Sequence, residues 1–183
     1  MRDEVTLSEM PVQTGAARPG YRATRARVET YFDKTATRTW ERLTSDAPVS
    51  KIRQTVREGR DRMRDLMLSR LPEDLRGARV LDAGCGAGQM TIELAKRGAQ
   101  VLATDISPAL VQIAESRLPE ELRAQVAFAS GDMLCPSLGQ IDHVIAMDSL
   151  IYYDAQDIGR ALAAFETRTD GSIVFTVAPR TRA

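Results

Sequence analysis

A chain of 183 residues with 43% apolar side chains can bury one sizeable core, and its 25 basic and 25 acidic residues cancel, which argues against a chain-wide basic surface for nucleic acid. Cys85 and Cys135 lack metal-ligand spacing and are too few for a disulfide framework, no apolar run approaches the about 18 residues of a membrane-spanning helix, and the polar amino terminus is unlike a signal peptide. The charge is uneven along the chain, with 16 Lys or Arg against 12 Asp or Glu in residues 1–78 and 9 against 13 in residues 79–183.

Residues 1–23, with Pro11, Gly15, Pro19 and Gly20 and little apolar periodicity, read as a flexible leader. Residues 24–72 read as a helical segment. Two helical patterns run from Arg25 to Leu71, parted near Ser45–Pro48, where Ser45 or Asp46 can cap and Pro48 suits a first turn. The first carries Tyr31 and Phe32. The second spaces Val49, Ile52, Val56, Met63, Leu66 and Met67 as one apolar face, with Lys51, Arg53, Arg57, Arg60 and Arg64 among the intervening positions. The expectation is an amphipathic helix whose arginines form a mostly solvated face, with one or two available to grip carboxylates.

Residues 73–183 read as one α/β unit. Strand runs at 79–84, 100–105, 126–132, 142–148 and 172–178 alternate with helical patterns near 87–97, 108–118 and 155–167. Such alternation predicts a doubly wound, mostly parallel sheet with helices on both faces and a ligand at the carboxyl ends of the strands. The first four runs end in or beside Asp82, Asp105, Asp132 and Asp148, so that edge is acidic. The lone His143 lies early in its strand run and reads as a packed core residue.

The turn "RVLDAGCGAGQM" decides the ligand. A dinucleotide fingerprint starting at Gly84 requires glycine at position 89, which is Gln. Asp82 would oppose a pyrophosphate but suits a cationic amino acid end. Asp105, 21 residues after Gly84, is placed for ribose hydroxyls. Asp132 is placed for an adenine amino group, with Ile106 and Met133 as apolar faces for the ring. Gly84, Gly86 and Gly88 allow the tight turn and close approach, and Asp148 either touches the ligand or caps the segment after its strand. Together these residues favour S-adenosylmethionine.

"VLDAGCGAG", "TDIS" and "GDM" resemble the class I S-adenosylmethionine-dependent methyltransferases, which implies a Rossmann-like sheet over Arg79 to Pro179. The segments "YFDKTATRTWERLTSDAPVSKIRQTVREGRDRMR", "AMDSLIYY" and "GSIVFTVAPRT" resemble the magnesium-protoporphyrin O-methyltransferases of the bacteriochlorophyll pathway. That resemblance implies methylation of a propionate of magnesium protoporphyrin IX to its monomethyl ester. It also implies a lid built from the amino-terminal helices, and Tyr31 and Tyr152 as catalytic candidates, Tyr152 standing where many members have His. As partners it implies the porphyrin and, on the protein side, the magnesium chelatase large subunit or other pathway enzymes, with no nucleic acid. As location it implies the cytoplasm, peripheral to the photosynthetic membrane. Against the family pattern, the last two strands are expected to be missing after "SIVFTVAP".

A propionate is ionised at neutral pH, so its methylation needs alignment and no strong general base. The segment "MDSLIYY" lacks an Asn/Asp-Pro-Pro-aromatic box, and "CPS" is no base-attacking Pro-Cys pair, both of which argue against nucleic-acid base methylation. The alternatives are a methyltransferase for another small acid or phenol, or a noncatalytic module holding tetrapyrrole or cofactor.

Overall fold

The computed structural model describes residues 19–32 and 51–178. Its elements are α1 (Pro19–Tyr31), α2 (Lys51–Leu68), β1 (Arg79–Ala83), α3 (Gln89–Lys96), β2 (Gln100–Asp105), α4 (Pro108–Arg117), β3 (Val126–Ser130), β4 (His143–Ala146), α5 (Ala155–Glu166) and β5 (Ile173–Phe175). Short 3-10 turns occupy Glu120–Gln125, Pro136–Leu138 and Leu150–Tyr152.

The five strands form one sheet in the order β3-β2-β1-β4-β5, and every pairing is parallel. β1 pairs Leu81 with Leu102 of β2 on one side and with Val144 of β4 on the other. The chain winds outward through β2 and β3, then returns to β4 and β5, so the winding direction reverses between β1 and β4. A crevice opens at such a point because the connections leave in opposite directions.

Both faces of the sheet are covered, which explains why the central strand runs are apolar without alternation. On one face Val80, Val101 and Ile145 pack with Met67, Leu68, Leu75 and Leu94. On the other, Leu81, Leu102 and Val144 pack with Leu138, Ile141, Ala161 and Phe165. Two helix starts follow local chemistry. Ser107 caps α4 by accepting from the Leu110 amide at 3.4 Å, and Asp154 caps α5 by accepting from the Asp157 amide at 2.8 Å.

Three expectations need correction. The leader ends earlier than residue 23, because α1 begins at Pro19 and Tyr21 is only 3% exposed. Residues 1–18, the predicted break at 45–48 and Val49 lie outside the described residues. The third, fourth and fifth strands are shorter than their apolar runs. Beyond two of them the backbone turns at Gly131 (φ 137°) and Asp148 (φ 59°), conformations no strand can hold.

The largest correction concerns α2. Val56, Met63 and Leu66 are 46%, 40% and 55% exposed, whereas Arg57, Arg60 and Arg64 are half-buried. Only the carboxyl end, Met67 and Leu68, packs in the core. The helix is amphipathic, but its basic side faces inward. Among the described residues no helix is long and apolar enough to cross a membrane.

Candidate active site

A cleft lies over the carboxyl ends of β1, β2 and β4 and runs under α1 and α2. Its floor carries Asp82, Asp105, Asp132 and Asp148, and its roof carries Arg25, Arg57, Arg60 and Arg64. Among the described residues the α1 and α2 side of the cleft is thus mainly basic, with Asp61 beside Arg64, and the strand-end side is acidic.

Asp82 is 1% exposed, and its Oδ2 accepts a 2.6 Å hydrogen bond from the Thr91 hydroxyl of α3. Burial pushes its carboxyl up to about 7, with the negative charge of Asp105 adding to the effect and the Thr91 bond opposing it. Asp105 is fixed by backbone: Oδ2 accepts from the Gly86 amide and Oδ1 from the Ser107 amide, both at 2.9 Å. The first bond ties the end of β2 to the glycine turn, and the second ties it to the start of α4.

The glycines differ in what they do. At Gly84 φ is 89°, and a Cβ would sit 2.4 Å from Cβ of Ser149, so no side chain fits between β1 and the loop after β4. Gly86 lines the cleft, and a Cβ there would meet nothing within 4 Å. Gly88 does not line it. It precedes α3 at φ 86°, and a Cβ would lie 3.0 Å from Cβ of Ala114, so this glycine lets α3 approach α4.

Asp132 is engaged from α1. Its Oδ1 accepts from the Tyr21 hydroxyl and from the Leu134 amide, each at 2.9 Å, and its Oδ2 accepts from Arg25 Nη1 at 2.9 Å. Tyr21 also stacks on Tyr153 with centroids 5.0 Å apart. Burial and the adjacent carboxylate push the Tyr21 phenol up, and burial holds Tyr153 up at about 12, so both remain protonated. Ile106 and Met133 also line the cleft.

Asp148 does not cap the segment after β4, since the 3-10 turn that follows has no side-chain cap. It adopts a left-handed backbone conformation, its amide donates to Thr176 Oγ1 at 2.8 Å, and its carboxylate forms an ion pair with Arg60 of α2. Tyr152 lines the cleft and meets Phe32 edge to face at 5.9 Å. Burial raises its phenol above the ordinary value, keeping it protonated. Tyr31 is 49% exposed and does not line the cleft; it leans edge to face on Phe32 at 5.3 Å. His143 is also away from the cleft, its Nδ1 accepting from the Ser172 amide at 3.1 Å.

The structure therefore brings Asp82, Gly84, Gly86, Asp105, Ile106, Asp132, Met133, Asp148 and Tyr152 to one cleft and leaves Gly88 and Tyr31 outside its lining. Sequence reasoning missed Tyr21 and Arg25, having assigned Tyr21 to the leader. A signal was present, because Tyr21, Arg25, Val28 and Phe32 follow helical spacing and all four line the cleft. The charge at its second position hides that stripe from a purely apolar pattern.

Residues 80–169 match the family model of a methyltransferase domain. The chain is 65% identical over 162 residues to the magnesium-protoporphyrin O-methyltransferase of Rhodobacter capsulatus, an alignment spanning 88% of this chain and 72% of that relative. Among solved structures it is similar to the magnesium protoporphyrin IX methyltransferase of Synechocystis PCC 6803. The complex with bound S-adenosylhomocysteine matches at a TM-score of 0.79 and 31% identity, covering 86% of this chain and 74% of that one. The complex with bound S-adenosylmethionine matches at 0.75 and 29%, covering 91% and 80%.

Proposed function

The chain belongs to the magnesium-protoporphyrin O-methyltransferase family, and from that premise we propose that it transfers a methyl group from S-adenosylmethionine to one propionate of magnesium protoporphyrin IX, giving the monomethyl ester. Beside that kinship, the observation that carries the reading is the cleft's division into an acidic floor of strand ends and a basic roof of helices. A cationic methyl donor suits the floor and a dicarboxylate suits the roof.

The floor residues fit S-adenosylmethionine. Buried Asp82 gains a counter-charge when it faces the ammonium of the amino acid end. Gly86 leaves the turn open where that end would approach closely, and Gly84 lets the turn pack against Ser149 at the same place. Asp105, held by two backbone amides, presents a fixed carboxylate to ribose hydroxyls. Ile106 and Met133, which line the cleft, would flank the adenine, and Asp132, beside Tyr21 and Arg25, would accept from its amino group. Gly88 acts through the packing of α3.

Bound S-adenosylmethionine supplies an electrophilic methyl group on a sulfonium. The attacking propionate is already an anion, so no side chain has to take a proton from it. The work left to the chain is alignment and exclusion of water. Tyr152 and Tyr153 wall the substrate side, and Tyr152, protonated, can donate to a propionate oxygen. Tyr31 acts as a positioning residue, because it touches Phe32 and Phe32 in turn holds Tyr152. Receipt of porphyrin from the magnesium chelatase large subunit or another pathway enzyme, in the cytoplasm at the photosynthetic membrane surface, belongs to the same reading and rests on the family alone.

The test is to titrate the purified chain separately with S-adenosylmethionine and magnesium protoporphyrin, then to assay methyl ester. The expected result is binding of both and ester formation. Binding of both without ester would make the chain a holding module. Methylation of another acid or phenol with no porphyrin turnover would overturn the substrate assignment.

A further inference from the structure

The inward basic face of α2 is unexplained by folding alone. Its apolar side chains Val56, Met63 and Leu66 look outward while Arg60 and Arg64, one helical turn apart, line the cleft. Burying guanidinium groups while exposing methyl and methylene groups is unfavourable unless the inward charges meet something.

Two details say what they meet. Arg60 already carries a carboxylate, that of Asp148, and both side chains are 24% exposed at the cleft wall. Asp148 sits there in a left-handed backbone conformation, its amide N–H donating a hydrogen bond to Thr176 Oγ1. Arg64 pairs through Nη1 with Asp61 at 3.0 Å, whereas its Nε is buried without a hydrogen-bond partner. Among the described residues five buried side-chain polar atoms lack a partner, and four of them, on Arg25, Arg64, Thr104 and Ser149, belong to residues lining this cleft. Native structures rarely bury such atoms unmet, so their concentration around this cleft, with one on α2 itself, marks a cavity built for a polar ligand.

We infer that Arg60 and Arg64 hold the propionate that is not methylated, with Asp148 as the resident carboxylate that keeps Arg60 oriented until the substrate joins it. The inference rests on the porphyrin reading above and assigns the two propionates different roles. Arginine binds carboxylates through paired, charge-assisted hydrogen bonds, which withdraw charge from the oxygens. A propionate so held is a poor nucleophile. The same grip would have to break when the anion became a neutral ester, so the clamp suits the spectator carboxylate. Its fellow is then left toward Ser149 and the glycine turn, beside the methyl donor's site. Arg60 and Arg64 thereby determine which propionate reacts.

The test compares magnesium protoporphyrin, a dianion, with its neutral dimethyl ester, each titrated by absorbance into the full chain. Arg60→Gln and Arg64→Gln should each weaken the dianion about tenfold or more while leaving the diester and S-adenosylmethionine affinities near wild type. Arg60→Lys should restore part of the loss. The pair Arg60→Gln with Asp148→Asn, which keeps the local charge balanced, should still lose the preference for the dianion. NMR assignment of the ester should give one regioisomer for wild type and a mixture for Arg60→Gln. Equal weakening of dianion and diester, or unchanged dianion affinity with a single regioisomer, would overturn the clamp. A wild-type chain that neither binds nor methylates the porphyrin would overturn the substrate reading and the clamp together, whereas normal turnover with unaffected variants removes the clamp alone.

Discussion

Burial lifts the Asp82 carboxyl to about 7, whereas a cation seated against it would favour its ionised form. S-adenosylmethionine binding should therefore release a proton near pH 7, and affinity should rise as pH increases through about 7. Calorimetry in two buffers of different ionisation enthalpy measures the proton, and Asp82→Asn should abolish both the release and the pH dependence. The free protein has the opposite trend. A carboxyl raised above its unfolded value stabilises the fold fully below that value, and the contribution is lost as pH rises from about 4 through about 7. A melting temperature of the free chain that climbed over that interval only in the Asp82→Asn variant would support this sign. At the same scale, Gly84 and Gly88 separate by function. Alanine at either meets a positive φ and a close neighbour, Ser149 or Ala114, and should cost about 1 to 3 kcal/mol of stability. Only Gly84→Ala should also abolish cofactor binding, since Gly88 faces α4 and not the cleft.

At the scale of elements, α2 shows why a helical period alone does not settle orientation. Its apolar spacing is real, but the stripe splits: Met67 and Leu68 join the core while Val56, Met63 and Leu66 stand in solvent. Changing Val56, Met63 or Leu66 to Gln should move stability by no more than about 0.5 kcal/mol in chemical denaturation. Met67→Ala or Leu68→Ala should cost about 2 to 4 kcal/mol. An apolar face turned inward along the whole helix would reverse the first result. The first helix, α1, follows the same logic, since the stripe of Tyr21, Arg25, Val28 and, just past its end, Phe32 both lines the cleft and packs a small apolar cluster with Leu110. A cleft wall is inward yet polar, and hydrophobic patterning does not distinguish that case from a solvated surface.

Across the described residues, α1 and α2 lie over the acidic ends of β1, β2 and β4. A dianionic substrate entering between them should be sensitive to salt. Raising ionic strength from about 0.05 M to about 0.5 M should weaken magnesium protoporphyrin binding several-fold, as the roof arginines are partly exposed and therefore screened. Affinity for S-adenosylmethionine should change less, because Asp82 is buried away from the ions. Parallel titrations at the two salt concentrations distinguish these responses; equal losses would mean that charge does not divide the cleft.

The parts of this protein legible in its sequence are those decided within a few residues. Apolar strand runs, the glycine turn with Asp82 before it, and aspartates at strand ends follow from backbone sterics and from the parallel alternation of strand and helix, which puts every strand end on one edge. The order β3-β2-β1-β4-β5 then brings Asp82, Asp105 and Asp148 to one cleft. What only the tertiary structure decided are pairings across long separations: Tyr21 with Asp132, Arg60 with Asp148, Gly84 with Ser149, Gly88 with Ala114. Each depends on how two elements dock, and docking is set by the summed packing of both partners. No local period encodes it. For that reason the acidic floor of strand ends could be read from residue spacing, while the roof, with its inward arginines and the helix begun at Pro19, required the folded chain.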